Sequence, residues 1–148
     1  MRRGRYSEAN RIYLVTFATD QRHPWFADAR LAEVALSALL DSRSWRNSTL
    51  LAWVLMPDHW HGLIELDEYD CLPALVRQIK CNSSRRVRAA LGAVVPAAVW
   101  AKAYHDRALR REEALLAAAR YVVMNPVRAG LVQKVREYPY WGAVWAQR

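Results

Sequence analysis

Residues 50–66, Leu-Leu-Ala-Trp-Val-Leu-Met-Pro-Asp-His-Trp-His-Gly-Leu-Ile-Glu-Leu, decide the fold. Residues 50–56 form a short continuous apolar run of the kind that fills a buried central strand. Pro57-Asp58 makes a tight connection, and residues 59–66 (HWHGLIEL) read as a further strand. Two such runs separated by so short a turn pair as an antiparallel hairpin.

Outward from the hairpin the chain alternates between strand and helix. Upstream, residues 10–19 (NRIYLVTFAT) are rich in β-branched and aromatic side chains and read as the first strand. Asp28 can cap a helix whose apolar positions Leu31, Val34, Ala35, Ala38 and Leu39 recur at helical spacing, ending near residues 41–44. Downstream, a second helix is expected over residues 72–91, with Leu72, Leu75, Val76 and Ile79 as its apolar stripe. Residues 100–105 (WAKAYH) suggest a short fourth strand, and a third helix spans about residues 112–124, closed by Asn125-Pro126. The order β-α-β-β-α-β-α predicts an α+β fold. It is a ferredoxin-like or RRM-like antiparallel sheet with helices on one face.

The bulk properties fit one domain over residues 1–148, 53% apolar, with seven Trp and seven Tyr for a core. No window approaches a membrane span, and the N-terminus lacks the apolar run of a secretory signal. Cys71 and Cys81 form no metal-binding or redox spacing and read as reduced thiols of a cytoplasmic protein. The formal charge of +8 favours a phosphate-bearing partner. It is unevenly placed. Residues 71–111 carry nine basic side chains against Asp106 alone, whereas residues 58–70 carry five acids and no Lys or Arg. A phosphate-binding face beside an acidic or metal-binding patch would have this pattern.

His59 and His61 are the sharpest candidates for chemistry. Two apart on a strand, they point to the same face, with Trp60 turned into the opposite layer. Paired imidazoles suit a divalent metal, though a structural role for them stays open. Tyr121 lies in Ala-Arg-Tyr-Val-Val-Met-Asn-Pro-Val-Arg-Ala-Gly-Leu-Val. If the helix persists, Tyr121 and Asn125 share a face four residues apart. Pro126 allows the alternative that Asn125 begins a separate short turn and Tyr121 merely packs in the core.

His-hydrophobic-His after Met-Pro-Asp, followed by Tyr-x-x-x-Asn-Pro-Val-Arg-Ala-Gly-Leu-Val, resembles the HUH-type tyrosine transposases, and most closely their REP-associated branch. Residues 100–110 (WAKAYHDRALR) support the resemblance, which runs from the first strand to Tyr140-Trp141. It implies a metal-dependent single-stranded DNA endonuclease and strand transferase acting on REP-type hairpins through a 5′-phosphotyrosine intermediate. By position, Tyr121 on the C-terminal helix becomes the nucleophile. His59 and His61 become ligands of Mg²⁺ or Mn²⁺, with Asn125 the third protein ligand. The family often carries another His where this chain has Arg107, so the role of His105 stays open.

A basic stripe of Arg77, Lys80, Arg85 and Arg88 would track single-stranded or hairpin DNA, with Arg2, Arg3 and Arg5 adding a mobile contact. The resemblance further implies a cytoplasmic, nucleoid-associated bacterial protein with no membrane partner, and a monomer acting in cis is favoured over a dimer. The rival readings are a non-cleaving hairpin-binding relative, a metal hydrolase that activates water and leaves Tyr121 idle, and an RRM-like RNA binder. The last lacks a convincing RNP1 stretch with its paired aromatics.

Overall fold

Strand β3 (His59–Leu66) is the middle of the sheet, and its alternation divides the molecule into two layers. The computed structural model describes residues 11–92, 98–110 and 113–146. Within them, β1 (Arg11–Ala18), β2 (Thr49–Met56), β4 (His105–Ala108) and β5 (Trp141–Ala143) join β3 in one antiparallel sheet of order β4-β1-β3-β2-β5. The first four strands form the split βαβ arrangement that the element order implied, with β5 added beside β2.

One face of the sheet is closed by two helices, α1 (Ala29–Leu39) and α2 (Leu72–Leu91). The Asp28 carboxylate accepts hydrogen bonds from the backbone N–H groups of Arg30 and Leu31, so α1 starts at its expected cap. Leu31, Ala32, Ala35 and Leu39 of α1 and Leu72, Leu75, Val76 and Ile79 of α2 pack on Tyr13, Val15, Phe17, Leu55, Trp60 and Ile64. Trp60 is fully buried, stacked on Phe17 at 5.0 Å between ring centroids. Its ring also lies across Gly62, where a Cβ would fall 2.0 Å from the indole edge. The glycine two residues after Trp60 is therefore a packing requirement.

The other face carries α3 (Glu113–Val123), whose Ala118, Ala119 and Val122 pack on Leu14, Ala52, Val54, Met56 and Leu63. The fold class is as expected, but the third helix departs from the placement of all helices on one face. The apolar side chains at alternate positions of β2 and β3 point both ways, so both faces must be covered.

The fourth strand is also displaced. Trp100 makes only an isolated bridge to Thr19, and the ladder begins at His105 rather than at residue 100. Trp100 is buried edge-on against Phe17, and the Lys80 ammonium donates to the carbonyls of Ala101, Lys102 and Ala103, which draws that stretch off the β1 ladder. Strand β5 is three residues long and follows no alternation; it pairs with β2 where the Trp53 indole covers Gly142. Glu112 and Arg2, Arg3 and Arg5 lie outside the described residues.

Candidate active site

The register of the sheet builds the site. His59 and His61 project to the α3 face, opposite Trp60 and Gly62, with their ring centroids 4.8 Å apart. His59 begins β3 directly after the Pro57-Asp58 turn. That turn is held by the Thr19 N–H and hydroxyl, which donate to the Asp58 carbonyl, and by the Phe26 N–H, which donates to that of Pro57.

Both imidazoles have Nδ1 engaged. The Asp58 carboxylate lies 2.8 Å from Nδ1 of His59, and since a carboxylate only accepts, that nitrogen carries the proton. Burial alone would raise the Asp58 carboxyl. The hydrogen bond from His59 and the Arg22 guanidinium, 3.1 Å away, more than offset this and hold it below the usual range. Thr16, directly across from His61 on β1, places Oγ1 2.9 Å from Nδ1 of His61. When that nitrogen carries the proton, it donates to Thr16. In a neutral ring of this tautomer Nε2 keeps its lone pair, the state a metal-ligating histidine needs. Burial, reinforced by the nearby His59, Arg128 and Arg22, pushes the His61 pKa down to about 3, so its ring is neutral near pH 7.

Tyr121 stands in the last turn of α3 and is 50% exposed. Its ring is edge-on to His61, with 6.4 Å between centroids and an interplanar angle of 89°. The Tyr121 ring thus stands half open to solvent beside the histidine pair, and the alternative of Tyr121 as a core side chain does not hold.

Asn125 does not continue α3. It begins a helical turn, Asn125–Arg128, with Pro126 in the first-turn position where a missing N–H costs nothing. Its amide nitrogen donates to the carbonyls of Val122 at 3.0 Å and Tyr121 at 3.4 Å, capping α3 and leaving the amide oxygen as the atom available to a ligand. Among the described residues, no third His, Cys, Asp or Glu joins His59 and His61. His105 lies across β1 from Thr16, so it shares the face of His61 one strand further out, exposed.

The four basic residues expected as one stripe all lie on α2 and border two hollows. Arg85, Arg88, Lys80 and Lys102 line an open hollow of about 450 Å³ floored by Val99 and Trp100. Arg77 lines a separate hollow with Arg46 and Asp70. Lys80 is held by the three carbonyls named above, and burial lowers its pKa, so its first task is to fix the segment leading to β4. Arg85 donates to the Asn82 side chain at 2.7 Å. Sequence reasoning missed Arg128, whose guanidinium stacks 4.1 Å from the Tyr121 ring centroid. Its only signal was its place in the Asn-Pro-Val-Arg stretch. Cys71 and Cys81 are exposed free thiols, and no helix of the described residues is long and apolar enough to cross a membrane.

This architecture has known counterparts. A REP-associated tyrosine transposase solved with a REP hairpin bound aligns with a TM-score of 0.74 at 22% identity, covering 92% of this chain and 78% of that one. A putative transposase from Deinococcus radiodurans R1 aligns at 0.55 and 21% identity, covering 80% of this chain and 92% of that one. No functionally curated protein matches. The family described as "Transposase IS200 like" matches residues 8–125, a span that contains His59, His61, Tyr121 and Asn125. The paired histidines on the central strand and the open tyrosine beside them thus sit in a chain that belongs to the IS200-like transposase family.

Proposed function

We propose that the protein is a metal-dependent single-stranded DNA endonuclease and strand transferase of the REP-associated type, cutting hairpin DNA through Tyr121. The observation that carries this reading is the edge-on approach of the exposed Tyr121 ring to His61, beside two imidazoles whose Nδ1 atoms are both engaged. The donor set fits a divalent metal: His59 and His61 would offer Nε2, Asn125 its amide oxygen, with remaining positions for water and phosphate oxygen. A mixed nitrogen and oxygen set favours Mn²⁺ over Mg²⁺, which prefers oxygen throughout. When bound, the metal supplies Lewis-acid polarisation of a non-bridging phosphate oxygen.

The remaining steps fall to the chain. The Tyr121 phenol oxygen bonds to phosphorus in line with the departing 3′-oxygen, giving a 5′-phosphotyrosine and a free 3′-hydroxyl. The phenol proton passes to water, and the leaving oxygen takes one from water. The ester link conserves the bond energy, so a 3′-hydroxyl can attack it and rejoin strands. Thr16 and Asp58 hold the imidazole rings in place throughout. The hollow lined by Arg85, Arg88 and Lys102 would hold phosphates of the hairpin. The nucleophile and the histidine pair belong to one chain and already face one another, which supports action in cis by a monomer. Its place of action would be the cytoplasm of a bacterium, on the nucleoid.

The test is incubation of the protein with end-labelled single-stranded hairpin DNA and Mn²⁺ or Mg²⁺, resolved on a denaturing gel beside Tyr121→Phe. A metal-dependent covalent adduct absent from the variant is expected. Tight binding with no adduct under either metal would reduce the protein to a hairpin-binding relative. Cleavage that survives Tyr121→Phe would point to water activation instead.

A further inference from the structure

The turn after α3 ends in a way that fixes one side chain. Pro126 is buried, and the Asn125–Arg128 turn closes where the Gly130 N–H donates to the Val127 carbonyl and the Leu131 N–H to that of Pro126. Gly130 has φ +76°, the left-handed conformation that this closing motif demands. Asn-Pro-Val-Arg-Ala-Gly is therefore a short helical turn that follows α3 and closes at Gly130. Its outward residue, Arg128, reaches back to Tyr121 twice. Nη2 donates to the Tyr121 carbonyl at 2.7 Å, and the guanidinium carbon lies 4.1 Å from the ring centroid. The family match ends at residue 125, so Arg128 lies beyond it.

We propose that Arg128 is a positioning residue for the nucleophile: it stacks on the Tyr121 ring and holds its hydroxyl toward the histidine pair. A half-exposed tyrosine on a helix surface has no packing of its own to choose a rotamer. Here the ring stands perpendicular to that of His61, 6.4 Å away between centroids, with the guanidinium over its face. A planar, permanently charged guanidinium can stack and donate at once, which an ammonium cannot. In-line attack depends on that geometry, and a displacement of about 1 Å can slow a step by roughly a hundredfold.

The inference rests on the proposed nuclease reading only for its kinetic readout. 3-Fluorotyrosine placed at position 121 gives a fluorine NMR signal that reports the ring's surroundings without DNA. The native signal should stand apart from that of an unstructured peptide. Arg128→Ala should collapse it onto the peptide value, and Arg128→Lys should retain part of the displacement. In single-turnover cleavage at saturating hairpin DNA, Arg128→Ala should lose about ten- to a hundredfold in rate with binding changed less than about twofold, and Arg128→Lys should recover part of the rate. A role in helix capping alone would leave the fluorine signal in place, and that result overturns the proposal. So does a loss confined to DNA affinity. If the native protein forms no adduct but the fluorine signal moves in Arg128→Ala, the positioning claim stands and the nuclease reading falls.

Discussion

Four successive residues of strand β3, His59 to Gly62, are shared out between its two faces, which do opposite things. Trp60 and Gly62 point into the layer beneath α1 and α2, where the indole is fully buried and even a methyl group at position 62 has no room. His59 and His61 point into the layer beneath α3, where side chains thin out toward the exposed Tyr121. The first face is packed with apolar side chains. The second also packs an apolar core around Leu63, but at the end of β3 it holds polar groups hydrogen-bonded to Asp58 and Thr16. A single alternating strand thus separates the work of stability from that of chemistry, and substitutions on its two sides should fail in different assays.

The largest separation is expected at Tyr121. Tyr121→Phe should lower covalent adduct formation by more than about a thousandfold, since only the hydroxyl forms the bond. Its melting temperature should match that of the native protein, because the half-exposed ring keeps its contacts and no hydrogen bond of the hydroxyl is lost from the core. Trp60→Ala should do the reverse, costing about 3–5 kcal/mol in urea denaturation, with activity falling only as the folded fraction falls. If Trp60→Ala abolished cleavage while the protein remained folded, the two faces would not be independent.

Thr16→Val, which removes the oxygen facing Nδ1 of His61, sharpens the comparison from the other side. Mn²⁺ affinity, measured by calorimetric titration, should drop about ten- to a hundredfold. The smallest effects belong to the basic hollow on the α2 face. Arg88→Ala should weaken hairpin binding and reduce the slope of log affinity against log salt by about one unit. Arg77→Ala, in its separate hollow, should change neither; equal effects at both positions would restore a continuous stripe.

Much of this was legible in the residues. The hairpin over residues 50–66, the capped α1 and the amphipathic α2 carried strong local signals, and the element order implied the four-stranded β4-β1-β3-β2 core to which β5 is added. The pairing of His59 with His61 on one face follows from strand periodicity alone. Three features were not legible, each for a non-local reason. The position of α3 on the opposite face depends on which strands expose apolar side chains both ways. The late start of β4 depends on Lys80, in a distant helix, taking the carbonyls of residues 101–103. The contact of Arg128 with Tyr121 depends on the separate helical turn over Asn125–Arg128, which lies beyond the apolar pattern of α3 and after Pro126.

The central claim is that Tyr121 itself becomes joined to DNA. Mass spectrometry of the tryptic peptide covering residues 121–128, prepared after incubation with hairpin DNA and Mn²⁺ followed by nuclease trimming, tests it most directly. A nucleotide phosphate on Tyr121 is expected. Modification of another tyrosine, such as Tyr104 or Tyr140, or cleaved DNA bearing free 5′-phosphate with an unmodified peptide, would contradict it.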